Sequence, residues 1–383
     1  MIPSQRSLFA IPRDVCYLNC AYMSPLLNAV VEAGKTGIEA KAQPWRISAA
    51  DFFTSNESGR KAFSNLLGAT PDDIAIIPAV SYGMAVAASI LPVGSGQRVL
   101  LLDEEFPSVI YAWQTRARAA GAEAVLIPRP ANDDWTGAVL ERIDDRTAIA
   151  ALPALHWTDG ARLDLVRIGT ALRARGAALA LDLTQSLGVM PFELAAVEPD
   201  VVVAACYKWL LGPYSTGFMY VAPRWHDGRP LEHNWIAREG SENFGGLVRY
   251  RDEYQPGARR YDVGEPSNFA LMPAAVAALE QILAWDPTRI SETLAGITRE
   301  ITRRASRHGF TWVDDSIRAP HYLGLRREGG LPAGLGERLA AQQVFVSTRG
   351  AALRITPHLY NDSADLDRFE AALSSCLTRP VTP

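Results

Sequence analysis

From about Ile74 to Val221 the chain alternates short apolar runs with amphipathic stretches, and that alternation constrains the fold more than any other feature. Ile74–Pro78, Arg98–Leu102, Ala124–Pro128, Ala148–Pro153, Ala177–Asp182, Val201–Ala205 and Gly217–Val221 read as strands buried on both faces. Between them, Ala85–Ile90, Ser108–Ala120 and Leu163–Arg175 carry helical periodicity, the last ended by Gly176. Strands alternating with helices predict an α/β fold with a doubly wound, mainly parallel seven-stranded sheet. Ligands on such sheets sit at the carboxyl ends of the strands, so the polar residues at those ends are the ones to weigh.

After about Gly257 the texture changes. Pro273–Trp285, Arg289–His308 and Ser363–Leu377 read as helices, and Ser363 is the expected N-cap of the last, with Asp365 and Asp367 in its first turn. Phe310–Val313, His321–Leu325, Val344–Ser347 and Ala351–Ile355 read as short strands. The expected organisation is a large α/β domain over residues 15–256 and a smaller α+β domain over 257–383, joined by residues 1–14.

Composition narrows the function classes. The 383 residues are 48% hydrophobic and 21% charged, an ordinary globular balance that excludes disordered and fibrous classes. Lys plus Arg number 38 against 42 acidic residues, so no basic surplus argues for nucleic acid or an anionic membrane. No apolar run approaches the roughly 20 residues that span a bilayer, and the N-terminus lacks a signal-peptide core. Cys16, Cys20, Cys206 and Cys376 are too scattered for a disulfide framework, and no second Cys/His pair completes a metal site around Cys16 and Cys20. A cytoplasmic protein working on a small molecule is the expectation.

Lysine occurs only at positions 35, 41, 61 and 208. The first three lie in polar contexts, whereas Lys208 follows Val-Val-Val-Ala-Ala-Cys-Tyr and precedes Trp-Leu-Leu-Gly. Burial lowers the pKa of an ammonium and yields the neutral amine that forms a Schiff base; the alternative is a strand-end lysine reaching for solvent. Asp182 closes another apolar strand and needs a cation to offset its burial, a role that a protonated pyridine nitrogen fills. Gln185, three residues on, is within reach of a ring hydroxyl from the same loop. The strand Ile74–Pro78 runs through Ala79-Val80-Ser81-Tyr82-Gly83 into a helix, whose start suits a phosphate.

Taken together, these residues resemble the class V aminotransferase family of fold type I pyridoxal-phosphate enzymes, which includes cysteine desulfurases, kynureninases and isopenicillin N epimerase. The resemblance runs from Tyr17-Leu18-Asn19-Cys20-Ala21 to Leu353-Arg354-Ile355-Thr356-Pro357-His358-Leu359-Tyr360-Asn361. It implies that Lys208 is the Schiff-base lysine, Asp182 the partner of the ring nitrogen, and Gln185 the contact to the phenolic oxygen. Ser81 with the neighbouring Tyr82 resembles the phosphate cradle, and Tyr207 resembles a further phosphate contact. Within Glu105-Phe106-Pro107-Ser108, Phe106 resembles the residue that stacks on the ring. Gly264-Glu265-Pro266-Ser267-Asn268 resembles a loop that reaches the phosphate of the other subunit, with Ser267 as the contact and Glu265 where the family often has Thr. A homodimer with shared active sites is therefore implied.

Arg354 matches the family arginine that receives the substrate carboxylate, so an amino acid or keto acid is the expected substrate. Tyr22, His156, Trp157, Trp235, His321 and Arg349 are candidates for substrate-side roles, each with a purely structural alternative. The stretch before Arg354 lacks the nucleophilic cysteine of desulfurases, which sets persulfide chemistry aside. The leading expectation is an aminotransferase. A lyase of kynureninase type comes second, an epimerase of the isopenicillin N type third, and a catalytically idle sensor last.

Overall fold

The computed structural model describes residues 1–378. Its main sheet has seven strands: β1 (Ile74–Ile77), β2 (Arg98–Leu102), β3 (Glu123–Ile127), β4 (Thr147–Pro153), β5 (Ala178–Asp182), β6 (Val201–Ala205) and β7 (Gly217–Val221). They lie in the order β1-β7-β6-β5-β4-β2-β3. Only β7 runs against the rest, antiparallel to both β6 and β1. The short 206–216 link explains the reversal, because a parallel return needs a dozen or more residues and usually a helix. Lys208 sits in that link.

Helices α1 (Asn28–Lys41), α2 (Asp51–Leu67), α3 (Val80–Ile90), α4 (Pro107–Ala120), α5 (Leu165–Arg173) and α6 (Leu271–Trp285) pack around the sheet or on one another. Alternate strand residues feed opposite faces: Ala75, Ile77, Val99 and Leu101 pack with Met84, Val109 and Trp113 of α3 and α4. Ile74, Ile76, Leu100 and Leu102 face the other way, towards a core that holds Phe63, Ile168 and Leu279. Gly83 lets α3 lie close to the sheet, since a Cβ there would stand 2.6 Å from Val203 Cγ1 and 2.9 Å from Ile77 Cδ1. β3 departs from the expectation of strands buried on both faces. It is an edge strand paired only with β2, and Glu123 and Leu126 are exposed.

The two long helices α1 and α2 are absent from the sequence reading, as are the short helices Trp135–Leu140, Leu194–Val197 and Leu335–Ala340. In α2 the buried face includes Asn56, Arg60 and Ser64 beside Phe63 and Leu67, so the apolar period is masked. Arg60 earns its burial: Nη1 donates to Asp262 Oδ1 at 3.0 Å and to the Ile74 carbonyl at 2.5 Å. The same Asp262 oxygen accepts the Ile76 N–H at 2.8 Å. One ion pair thus ties α2 and the 257–263 segment to the end of the sheet.

A second, antiparallel sheet consists of β8 (Phe310–Thr311), β9 (Leu323–Arg327), β10 (Ser347–Arg349) and β11 (Ala352–Ile355), in the order β10-β11-β9-β8. The expected strand Val344–Ser347 is split: Val344–Phe345 pairs in parallel with Cys16–Tyr17, while β10 pairs with β11. The expected strand at His321–Leu325 begins only at Leu323, because His321 turns inward to donate from Nε2 to the Gln185 carbonyl at 2.7 Å. Helices α7 (Pro287–Ala305) and α8 (Ser363–Thr378) flank this part. Ser363 is not the cap of α8; Asp362 is, its Oδ1 accepting the N–H groups of Ala364 and Asp365 at 3.1 and 3.3 Å. A carboxylate one residue earlier reaches two free N–H groups where a hydroxyl at Ser363 lies already inside the helix. All four cysteines are unpaired and buried. Residues 379–383 of the expected small domain lie outside the described residues. Among the described residues no helix is long and apolar enough to cross a membrane, and no acidic, histidine or cysteine group has the makings of a metal site.

Replacing Asp262 by Ala strips the Arg60 guanidinium of its buried counter-charge and leaves only the half-exposed Glu57 on Nε, a loss expected to cost about 3 kcal/mol. Glu123→Gln, which removes an exposed partner shared by Arg98 and Arg146, is expected to cost under about 1 kcal/mol. Urea or guanidinium midpoints of the two variants check the contrast, and similar midpoints would show that the buried pair does not anchor the sheet end.

Candidate active site

The carboxyl ends of the main-sheet strands enclose a cavity of ≈ 220 Å³. β1 leads to Ala79–Ser81, β2 to Glu105, Phe106 and Ser108, and β4 to Leu155 and Trp157. β5 supplies Asp182 and is followed by Thr184 and Gln185; the β6–β7 link supplies Tyr207, Lys208 and Tyr214–Thr216. The turns that carry these residues hold non-glycine residues at positive φ: Glu104 (+57°), Leu211 (+52°) and Ser215 (+61°). Each such residue costs about 1–2 kcal/mol, and strain of this kind concentrates where loops must aim side chains at a site.

Lys208 is 7% exposed, and its amine faces the cavity. Its Nζ stands 5.4 Å from the ring centres of both Phe106 and Tyr207. Burial lowers its pKa to about 8; the charge of Asp182 opposes the fall, and the guanidiniums of Arg354 and Arg349 add to it. A sizeable fraction of the amine is thus neutral near physiological pH. Asp182, at the end of β5, is partly open to the cavity and accepts the Thr184 N–H at 2.9 Å. Removal from water pushes its carboxyl up, with Thr184 and the Lys208 charge opposing.

Gln185 is held on both sides: its Oε1 accepts from Trp209 Nε1 at 2.9 Å, and its Nε2 donates to the Ala21 carbonyl at 3.3 Å. The N-terminal segment is thereby part of the site's support, and the Ser24 N–H adds a bond to the Tyr207 carbonyl at 2.9 Å. Helix α3 begins at the cavity with Ala79 as its cap position, and Ala79 has no side-chain oxygen to satisfy the first N–H groups. With Ser81 beside them, these N–H groups form an anion site. Phe106 presents its ring to Lys208 and meets the edge of Trp157 at 5.7 Å between ring centres.

Arg354 is 1% exposed and lies behind Trp157 rather than in the cavity wall. Its Nη1 donates to the Trp157 carbonyl and the Tyr322 hydroxyl, both at 3.3 Å, while its Nε has no partner. Arg349, at the end of β10, reaches the same indole: the two guanidinium carbons lie 5.7 Å (Arg349) and 6.0 Å (Arg354) from the Trp157 ring centre. Neither arginine meets a carboxylate among the described residues. Burial and the Arg354 charge push the Arg349 pKa down.

Several candidates stand elsewhere. His156 is fully buried outside the cavity, stacked on Trp135 at 5.0 Å. Its Nδ1 accepts from Arg129 Nη2 at 3.0 Å, and its Nε2 donates to the Asp103 carbonyl at 3.2 Å. Both ring nitrogens are occupied, so the substrate-side expectation for His156 is corrected to a packing role. Tyr22 is 55% exposed and does not line the cavity. Tyr82 does not line it either; its hydroxyl donates to the Asp262 carbonyl at 3.4 Å, because one residue along α3 turns the side chain away from the direction of Ser81. Ser267 lies outside the Lys208 cavity of its own chain, donating to the Phe52 carbonyl and accepting from Asn56 Nδ2 at 3.2 Å. Trp235 packs with Phe52 and Phe244, and His321 is buried under Gln185. The structure adds Glu105, Thr184, Tyr214 and Thr216 to the wall, none singled out by sequence. Apart from Glu105, which precedes the Phe106 motif, no local signal separates them from ordinary loop residues.

Comparison with known proteins bears on the family and the fold. The chain is 28% identical to an uncharacterized aminotransferase, YcbU, of Bacillus subtilis, over 81% of this chain and 80% of that protein. It is 25% identical to isopenicillin N epimerase of Streptomyces clavuligerus, with 82% and 83% covered. It is 29% identical to kynureninase of Deinococcus radiodurans, with 72% and 67% covered. Among solved structures, a mutant of C-DES with glycine covalently linked to its PLP cofactor superposes with a TM-score of 0.88 at 18% identity, covering 97% of this chain and 99% of that one. The cysteine desulfurase CsdA of Escherichia coli gives 0.82 at 19% identity, with 97% of both chains covered. At those identities the likeness concerns the fold, which is the fold type I architecture that the resemblance implied. The family model for aminotransferase class-V matches residues 24–232, more than half of the sequence, and the chain belongs to that family.

Proposed function

We propose that this protein is a pyridoxal-phosphate-dependent enzyme that acts on an amino acid through Lys208, and that its reaction is transamination. The observation that carries the reading is the buried Lys208 amine, held near neutrality in one cavity with Asp182 and the ring of Phe106. The donor set fits the cofactor. An amine suits its aldehyde, a carboxylate its ring nitrogen, a flat apolar side chain its ring face, and an uncapped helix start its phosphate.

When bound, pyridoxal phosphate supplies a sink for the electrons released at the substrate Cα. Lys208 would bind the cofactor covalently and, once displaced by the substrate amine, move a proton at Cα as a general base. Asp182 would hold a proton on the ring nitrogen. Gln185 would orient the ring oxygen, its own amide fixed by Trp209 and Ala21. Phe106 would exclude water from one ring face, and Ser81 with the start of α3, joined by Tyr207, would bind the phosphate. Arg354 and Arg349 carry two charges without a carboxylate partner beside Trp157, which supports an anionic substrate.

The kynureninase and epimerase relatives have identities close to that of the aminotransferase, so lyase and epimerase outcomes are the rival readings. The desulfurase neighbours lend no weight to setting desulfuration aside. That part of the reading rests on the thiols, for all four are buried, and burial pushes Cys20 and Cys206 well up from the usual thiol range. A homodimer is also proposed. Ile38, Trp45 and, at the cavity wall, Tyr214 are large apolar side chains left exposed in the single chain, of the kind that a second copy covers.

An amino-acid screen with and without a keto-acid acceptor tests the reaction. Turnover that requires the acceptor is the expected result; fragment release without it means a lyase, and α-proton exchange alone means an epimerase. At saturating cofactor, borohydride trapping of pyridoxal phosphate on Lys208 should rise with pH through about 8, as the amine loses its proton, and then level off. A rise that continues to the range of ordinary lysines would remove the basis of the proposal. Arg354→Ala should weaken carboxylate substrates about tenfold to a hundredfold, as for a lost charge-assisted bond, without abolishing trapping. Light scattering should give twice the mass of one chain, and a monomer at working concentration would overturn the dimer.

A further inference from the structure

One buried carboxyl in the cavity has no part in the reading above. Glu105 follows β2, is 7% exposed and lines the cavity with Lys208, Asp182 and Phe106. The positive φ of Glu104 separates two consecutive acids. Glu104 turns out to solvent and pairs with Arg129, whereas Glu105 turns in. There its Oε1 accepts the Phe106 N–H at 2.5 Å, and its Oε2, fully shielded from solvent, has no hydrogen-bond partner. Among the described residues no Lys, Arg or His forms an ion pair with it.

An ionised carboxylate left in that position would lack both a paired cation and, at Oε2, any hydrogen bond, which strongly disfavours the charge. The remedy is a proton. Burial pushes the carboxyl up to about 8; the Phe106 N–H opposes the rise, the Asp182 charge adds to it, and the Lys208 charge opposes it. Asp182 faces it from the end of β5 and Lys208 from the β6–β7 link, while Asp103 and Glu104 on its own turn are exposed to solvent. With the proton on Oε2, the acid keeps Oε1 free to accept from Phe106 and places no second negative charge beside Asp182.

We propose that Glu105 is a proton-holding residue of this site. It is uncharged when the cofactor binds, and its ionisation weakens the hold on an anionic cofactor. The proposal rests on the pyridoxal-phosphate reading and deepens it: of the two carboxyls in the wall, Asp182 alone is to carry negative charge towards the cofactor.

The test is the affinity for pyridoxal phosphate of Lys208→Ala, in which no covalent link competes, and of Lys208→Ala with Glu105→Gln. Gln keeps the shape and a donor but cannot ionise. From about pH 6.5 to about pH 9.5, the single variant should lose affinity by up to about tenfold per pH unit once Glu105 ionises. Relative to it, the double variant should show no such loss, and ionisations of the cofactor itself cancel in the comparison. Parallel profiles overturn the proposal. If neither variant binds the cofactor at any pH, the cofactor reading fails and this one with it. A measurement on the wild-type holoenzyme needs no variant to fold: infrared spectra should show a protonated-carboxyl band at neutral pH that fades in alkali. A spectrum without that band overturns the proposal.

Discussion

Keeping one amine away from water is the constraint on which the site depends. An ammonium is stable in solvent and costly inside a protein, so the Lys208 side chain stays buried only because charge and geometry are arranged around it. Asp182 supports its charged form, and the pair of arginines beyond Trp157 supports its neutral form. The balance leaves the group between two protonation states. The reversal of β7 contributes as much as any side chain, because a tight return from β6 places Lys208 at the carboxyl edge of the sheet. A helical crossover at the same point would have carried it across a face of the sheet.

The parts legible in the sequence were those in which a polar residue interrupts apolar surroundings. Lys208 and Asp182 stand at the ends of Val-Ala-rich and Ala-Leu-rich strands, where a charge has few bland explanations. Six of the seven strands of the main sheet were legible for the same reason, since burial on both faces leaves almost uninterrupted apolar runs, and the edge strand β3 showed itself only by its apolar Ala-Val-Leu-Ile run. α2 was not, because Arg60, Asn56 and Ser64 turn their polar atoms inward and break the period; α1 was not, because it buries only Val30 and Gly37, too few to mark an apolar face. Ser363 and the strand around Val344 were misplaced by a residue or two, since the choice of cap and of strand partner is made by tertiary contacts.

The site residues follow the same division. His156 and Trp157 are neighbours at the end of β4, and nothing in the sequence tells which one faces the cavity. Stacking on Trp135 and a bond from Arg129 draw the histidine away and leave the indole in the wall. Glu104 and Glu105 pose the same problem, decided by a single backbone angle. Arg354 was identified by resemblance, yet its seat behind Trp157 is a matter of packing that no motif encodes.

The parallel pairing of Cys16–Tyr17 with Val344–Phe345 has a consequence for how the molecule comes to exist. The adjoining residues 18–24 run on to brace Gln185 and Tyr207. On the ribosome, this early segment emerges long before its strand partner is synthesised. Contacts between such distant parts of a chain close late, after more local structure has formed. The central sheet can therefore collapse around its own helices first, while the reactive pocket gains its full support only when residues 16–24 meet the distant 344–356 segment.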